Sequence, residues 1–248
     1  MNIYSKILNL KAQGRKQFAV LIDPDKVNQD TLKFVCQTAA ISKVDYLFIG
    51  SSILTNGNLR QCIETIKGTC AIPVILFPGN TLQICELADA ILFLSLISGR
   101  NADMLIGNHV ISAPMIKQSN LEVIPTGYML VEGGNTTSVQ YMSNTTPIPT
   151  DKNDIALCTA LAGEMLGLKM IFMDAGSGAK LPVSRKMIET VSRAIKVPLI
   201  VGGGITTLEK AIEDCEAGAD VIVIGNSIER DPSLIERISE AINAYQTS

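Results

Sequence analysis

The chain of 248 residues has no tryptophan, a single histidine (His109), and only 4% aromatic residues. None of its six cysteines, at 36, 62, 70, 85, 158 and 215, falls in a C-x-x-C pair. Structural zinc sites and redox dithiols need Cys and His grouped at such spacings, so the thiols read as reduced and buried, most of them on apolar helix faces, as at Cys36, Cys62 and Cys215. Charged residues are scarce, at 18%, and nearly balanced: 21 Lys+Arg against 24 Asp+Glu give a net charge of -3. That balance argues against nucleic acid as a partner. No apolar run reaches the roughly 18 residues of a membrane-spanning helix. The longest, Ala88 to Ile97, is interrupted by Asp89 and Ser95. Met1 to Lys16 carries Lys6, Lys11, Arg15 and Lys16 and lacks the continuous apolar segment of a signal peptide. The expected compartment is the cytoplasm, and any membrane contact would be peripheral.

Hydrophobic residues make up 47% of the chain, ample for a large core and, at that level, a pointer to a homo-oligomer. They cluster into short runs bounded by Gly, Pro, Asp or Asn. The runs are Phe18–Ile22, Tyr46–Ile49, Val74–Phe77, Ala90–Leu94, Val123–Thr126, Met170–Met173, Leu199–Val201 and Val221–Ile224. Such runs mark strands buried on both faces. Between most of them lie amphipathic stripes: Leu32, Val35, Cys36, Ala39; then Leu59, Cys62, Ile63, Ile66; then Leu208, Ala211, Ile212, Cys215. Ser184 reads as the N-cap of a further helix. Eight strands alternating with helices predict an α/β fold, a single (β/α)8 TIM barrel spanning residues 1–248. A doubly wound open sheet is the alternative, but Asp23-Pro24-Asp25 after strand 1 is not a dinucleotide fingerprint. Only Pro78 to Asp89 connects strands 3 and 4, too short for a full crossover helix, so a short or irregular connection is expected in place of the third helix. Thr126–Pro149 is long and rich in Gly, Asn and Thr, the profile of a functional loop.

Active sites of barrels lie at the C-terminal ends of the strands. Strands 7 and 8 end in Gly202-Gly203-Gly204 and Gly225-Asn226. Glycine turns at adjacent late strands let backbone N–H groups approach a phosphate. Asp23 and Asp25, with Ser52 at the neighbouring strand end, have the oxygen chemistry of a Mg²⁺ site, or Asp-Pro-Asp is simply an Asx-type turn. Asp174, at the end of strand 6, can serve as a general base or can brace the glycine loop beside it. His109, in the apolar stretch Leu105 to Ile111, reads as structural. A strand 6 without lysine argues against a Schiff-base aldolase, and the absence of D-D-x-x-D against the all-helical prenyl diphosphate enzymes.

These residues carry a resemblance. Leu21-Ile22-Asp23-Pro24-Asp25-Lys26, Phe48-Ile49-Gly50-Ser51-Ser52, Pro73 to Gly79, Ser95 to Asn101, Ile124 to Tyr128, Phe172 to Ala179, Gly202 to Ile205 and Ile224-Gly225-Asn226 run in order along nearly the whole chain. The set resembles the geranylgeranylglyceryl phosphate synthases and their bacterial heptaprenylglyceryl phosphate synthase relatives. The resemblance implies a barrel that joins an isoprenyl diphosphate, geranylgeranyl diphosphate being the expected donor and heptaprenyl diphosphate the alternative, to sn-glycerol 1-phosphate. It implies Mg²⁺ held by Asp23 and Ser52. It implies glycerol phosphate held by Phe172, Met173, Asp174, Ala175, Gly176, Ser177 and Gly178 with Gly203, Gly204, Gly225 and Asn226. Asp174 is then the base, and the oligomer a dimer or hexamer. Many relatives have Tyr where Phe172 stands, and some have Glu at Asp174. The prenyl tail needs an apolar trench, expected at the thin side between strands 3 and 4 and lined by Phe77, Pro78, Leu96 and Ile97. A phosphate-binding barrel lyase or isomerase, and a lipid carrier needing neither Asp23 nor Asp174, are the competing readings.

Overall fold

In the computed structural model, residues 2–56 and 58–245 are described. Eight parallel strands close into a barrel in chain order: β1 (Gln17–Ile22), β2 (Tyr46–Ile49), β3 (Val74–Leu76), β4 (Ala90–Leu96), β5 (Glu122–Leu130), β6 (Met170–Asp174), β7 (Leu199–Gly202) and β8 (Val221–Ile224). The last strand pairs with the first, Gln17 opposite Val221. This is the (β/α)8 barrel that the alternating pattern predicts. Helix α1 (Ile3–Ala12) precedes it, and α2 (Gln29–Ile41) and α3 (Leu59–Thr69) follow β1 and β2. A π-helical turn (Asp103–Gly107) leads into α4 (Asn108–Gln118) after β4. Then come α5 (Ser138–Ser143), α6 (Asn153–Met165), α7 (Arg185–Ser192), α8 (Leu208–Glu216), α9 (Asn226–Arg230) and α10 (Leu234–Tyr245). Ser184 caps α7 as expected, accepting from Met187 N–H. No helix of the described residues is long and apolar enough to cross a membrane.

The segment between β3 and β4 contains turns and no helix, so the third helix is indeed missing. The other unusual connection departs from expectation. β5 continues to Leu130, four residues beyond the predicted end, and α5 forms within the supposed loop. The missing Cβ of Gly127 is what lets Ile97 and Ile171 approach there. Pairing of Leu94 with Thr126 through Leu96 with Tyr128 keeps the strand intact.

Alternation divides the core into two layers. Along β6, Met170 and Phe172 point into the barrel with Tyr46, Phe48, Ile75, Leu92 and Tyr128. Ile171 and Met173 point outward to the helices. The N-terminal end of the barrel is closed by α1, whose Ile3 and Ile7 pack into the inner layer. The carboxylate of Glu122 accepts from Ile3 and Tyr4 N–H at 2.5 and 2.9 Å, satisfying donors of the first turn of α1. The residue before β2, β4 and β8 is an aspartate that accepts from the backbone N–H at the start of the preceding strand. Asp45 takes Phe18 N–H, Asp89 takes Val74 N–H, and Asp220 takes Leu199 N–H. These contacts tie down the N-terminal end of the barrel, opposite the strand ends where barrel active sites lie.

Four cysteines are buried as expected, whereas Cys70 is half-buried and Cys158, on α6, is exposed. Asp214 of α8 is fully buried, with Lys210 Nζ at 2.8 Å. Burial pushes its carboxyl up to about 6. An unfolded aspartate ionises near 3.8. The folded form therefore holds a proton between these values that the unfolded form has lost, and stability falls as pH rises from about 4 to about 6. Asp214→Asn is expected to raise Tm at pH 8 and to lose most of that gain at pH 4.5, as thermal melts at the two pH values would show.

Candidate active site

The ends of β1, β2, β6, β7 and β8 at the mouth carry the residues singled out above. At the end of β1, Asp23 is nearly buried. Its Oδ1 accepts from Asp25 N–H at 3.1 Å, the Asx turn. Its Oδ2 accepts from Ser51 Oγ at 3.0 Å and lies 3.2 Å from Lys26 Nζ. Asp25 turns away and accepts from Thr55 N–H and Oγ and from Asn56 N–H. These donors hold its carboxyl below the usual carboxylate range. Asp-Pro-Asp is thus an Asx turn made by the Asp23 side chain, whose other carboxylate oxygen faces Ser51 and Lys26. The hydroxyl bonded to Asp23 is that of Ser51, with Ser52 beside it on the cavity wall.

At the end of β6, Asp174 Oδ2 accepts from Tyr128 Oη–H at 2.6 Å and Oδ1 accepts from Gly176 N–H at 2.7 Å. Burial pushes this carboxyl up, against the pull of both donors. Gly203 touches the same group. A Cβ on Gly203 would stand 2.3 Å from Asp174 Oδ1 and 2.6 Å from the N atoms of Ala175 and Gly176, and its φ of +78° is left-handed. Gly204 follows at φ +71°. Ser177 Oγ donates to Asn226 Oδ1 at 3.0 Å, which ties the β6 and β8 ends together. Helix α9 is only five residues long, so the glycine turns rather than a helix shape this corner.

A single cavity of about 480 Å³ joins these parts. Of the stretch Phe172 to Gly178, the cavity is lined by Phe172, Asp174, Gly176, Ser177 and Gly178. Met173 and Ala175 belong instead to the outer core layer, since alternation turns them toward the helices. Gly203, Gly204, Gly225, Asn226, Asp23 and Ser52 all line it. From the mouth the cavity runs into a trench left by the missing helix. Phe77, Pro78 and Leu96 line it as expected, with Ile84, Ile91, Phe93 and Ile116 beyond them. Ile97 is a correction: its Cδ1 packs against Gly127 and Gly163. The rings of Phe77, Tyr128 and Phe172 meet over the mouth at centroid distances of 5.1–5.8 Å. His109 joins the trench wall, 3.2 Å from Ser95 Oγ and edge-on to Phe93. Burial lowers its pKa, which favours the neutral imidazole.

Tyr128, Ser51 and Lys26 are site residues that sequence reasoning left without a role. Tyr128 had a usable signal: extending the alternation of β5 two residues past Thr126 puts it inside the barrel.

The structure is similar to solved ones of known activity. A geranylgeranylglyceryl phosphate synthase from Thermoplasma acidophilum, in complex with its substrate sn-glycerol-1-phosphate, superimposes with a TM-score of 0.93 at 30% identity, covering 98% of this chain and 99% of that one. In sequence, the chain is 54% identical to a geranylgeranylglyceryl phosphate synthase of Chitinophaga pinensis over 98% of this chain and 96% of that one. It is 55% identical to one of Spirosoma linguale over 96% of each. The model of the PcrB family matches residues 11–245. With nearly every residue of the barrel inside that match and full-length relatives above half identity, the chain belongs to the PcrB family.

Proposed function

We propose that the chain is a prenyltransferase that joins an isoprenyl diphosphate to sn-glycerol 1-phosphate, giving an ether-linked prenylglyceryl phosphate and diphosphate. The carrying observation is the continuity of one cavity, from a glycine-lined corner through a carboxylate mouth into an apolar trench. A sugar-phosphate lyase would use the corner and the acid but has no need of the trench. A lipid carrier would need the trench alone.

The glycine turns of Gly203, Gly204 and Gly225, with Asn226 and Ser177, would take the glycerol phosphate and hold its free hydroxyl toward Asp174. Fixing the nucleophile in this way lowers the entropic part of the barrier. The hydroxyl oxygen attacks the allylic carbon as the bond from that carbon to the diphosphate oxygen breaks, and the hydroxyl proton passes to Asp174. A carboxyl raised by burial is a better proton acceptor than an exposed one. The rings of Phe77, Tyr128 and Phe172 offer electron-rich faces to the positive charge that develops on the allylic carbon. The prenyl tail lies along Ile84, Ile91, Phe93 and Ile116.

Mg²⁺ commonly takes one or two protein carboxylates and completes its shell with substrate phosphates and water. The β1–β2 ends fit that habit: one nearly buried carboxylate, Asp23, with the Ser51 hydroxyl on it and Ser52 alongside. No group of three or more His, Cys, Asp or Glu suited to a metal exists among the described residues, so the site would be completed by diphosphate. Bound there, Mg²⁺ would neutralise charge on the departing diphosphate. We further read the enzyme as a cytoplasmic homo-oligomer; exposed Ile106, Val110, Ile111 and Met115 supply an apolar face for a second copy.

Incubation of the chain with labelled sn-glycerol 1-phosphate and either geranylgeranyl or heptaprenyl diphosphate tests this reading. An alkali-stable prenylglyceryl phosphate, lost on adding EDTA, is expected. Failure of both donors would overturn it. Within the same assay, Tyr128→Phe removes a donor that favours ionised Asp174. Its kcat is expected to fall roughly 10-fold, and the acid limb of kcat/KM to move to higher pH.

A further inference from the structure

Asp23 and Asn226 stand on different strand ends, one at the expected metal site and the other at the expected phosphate corner. One ammonium reaches both. Lys26 Nζ lies 3.2 Å from Asp23 Oδ2 and donates to Asn226 Oδ1 at 3.3 Å, with Glu229 Oε2 at 3.7 Å. The Lys26 side chain keeps 45% of its surface exposed and lines the cavity. Both substrates of the proposed reaction bear phosphate, yet Lys26 and Arg230 are the two lysine or arginine side chains among the cavity-lining residues. The carboxylates there, Asp23, Asp25, Asp174 and Glu229, would repel phosphate unless a cation stood among them.

The Asp23 contact matters most. Its Oδ2 already accepts from Ser51 and pairs with the Lys26 ammonium, so a divalent cation held by Asp23 would compete with that ammonium. Two cations cannot share that position without repulsion, so arrival of one displaces the other. Lysine suits displacement, being a point charge on a flexible four-carbon stem. The ammonium can leave Asp23 and keep to the phosphates on either side.

Resting on the prenyl-transfer reading, we propose that Lys26 is a substrate-binding residue shared by the two phosphate subsites, and that in their absence it holds the cation position at Asp23. The two halves have opposite signatures. Without the ammonium, bare Mg²⁺ gains an uncontested carboxylate, whereas each phosphate ligand loses a charged donor. A side chain that merely braced the loop would move both in the same direction.

Calorimetric titration of the whole chain, wild type against Lys26→Met and Lys26→Arg, separates these cases with three probes: Mg²⁺ alone, inorganic diphosphate and sn-glycerol 1-phosphate. Lys26→Met is expected to bind Mg²⁺ roughly two- to fivefold more tightly, the scale of a partly exposed ion pair. It is expected to bind diphosphate about 10-fold or more weakly, the scale of a lost charged hydrogen bond, and glycerol phosphate more weakly as well. Lys26→Arg should keep anion binding within a few-fold. Unchanged diphosphate binding in Lys26→Met, or joint weakening of all three probes, overturns the proposal. Should Lys26→Met fail to fold, Lys26→Gln carries the same expectations. Wild-type turnover measured alongside distinguishes the two readings. A wild type that makes no prenylglyceryl phosphate refutes the function, whereas an active wild type with an indifferent Lys26→Met refutes the role of Lys26 alone.

Discussion

Asp174→Asn is expected to lower kcat by about 10²–10⁴-fold, the usual contribution of a general base, with a smaller change in substrate KM. The structure makes this substitution unusually clean. Both carboxylate oxygens are engaged, Oδ1 by Gly176 N–H and Oδ2 by Tyr128 Oη–H. An asparagine can keep both contacts, its oxygen accepting from Gly176 and its amide donating to the tyrosine hydroxyl. Bracing of the glycine loop therefore survives the change, and proton acceptance does not. The melting temperature should stay close to that of the wild type. A variant with wild-type kcat would remove Asp174 from proton transfer and leave it as a brace. In the wild type, burial holds the carboxyl above its ordinary range, so the acid limb of the pH–rate profile should lie higher than for an exposed aspartate.

Gly203→Ala should be as damaging for a different reason. A left-handed φ costs a non-glycine residue about 1–2 kcal/mol by itself. Here the added Cβ would also stand 2.3 Å from Asp174 Oδ1 and 2.6 Å from two backbone nitrogens. Two of these are backbone atoms and the third is a carboxylate oxygen held by Gly176 N–H, so the β6 and β7 turns must part. Glycerol phosphate affinity is expected to fall at least 100-fold, the scale of losing two charged hydrogen bonds, and kcat should fall with it because Asp174 is pushed aside. Gly14 provides the control. It has φ +72° with nothing within 4 Å of its added Cβ, so Gly14→Ala carries the backbone cost without the collision. Glycerol phosphate titration and melting curves on the two variants separate strain from site damage. Equal behaviour of the pair would show that the close approach at Gly203 does not matter.

The barrel was legible because its strands are buried on both faces and so read as continuous apolar runs. Tyr46–Ile49 and Val221–Ile224 could be bounded to the residue. The missing helix followed from counting alone, since Pro78 to Asp89 is too short to cross over. What failed was alternation left unused. Carrying Phe172 to Gly178 as one stretch placed Met173 and Ala175 in the site, whereas period-2 geometry sends them into the outer core. Ending β5 at Thr126 left Tyr128 in a loop, although the same periodicity turns it inward to Asp174. Other contacts had no local signal. The choice of Ser51 over Ser52 as partner of Asp23 depends on how the chain turns after β2. The reach of Lys26 to Asn226 depends on the closure of β8 onto β1. Closure brings together residues 200 positions apart, and no periodicity in the sequence reports it.

A crystal structure of the chain with sn-glycerol 1-phosphate and a non-reactive thiolodiphosphate analogue of the prenyl donor tests most directly whether one cavity aligns both substrates. The expected result has the phosphate against Gly203, Gly204, Gly225 and Asn226 and a glycerol hydroxyl on Asp174. The donor's diphosphate should lie beside Asp23, with its tail along Ile84, Ile91 and Phe93. A tail outside the trench, or a glycerol hydroxyl beyond hydrogen-bond reach of Asp174 with both ligands bound, would contradict it.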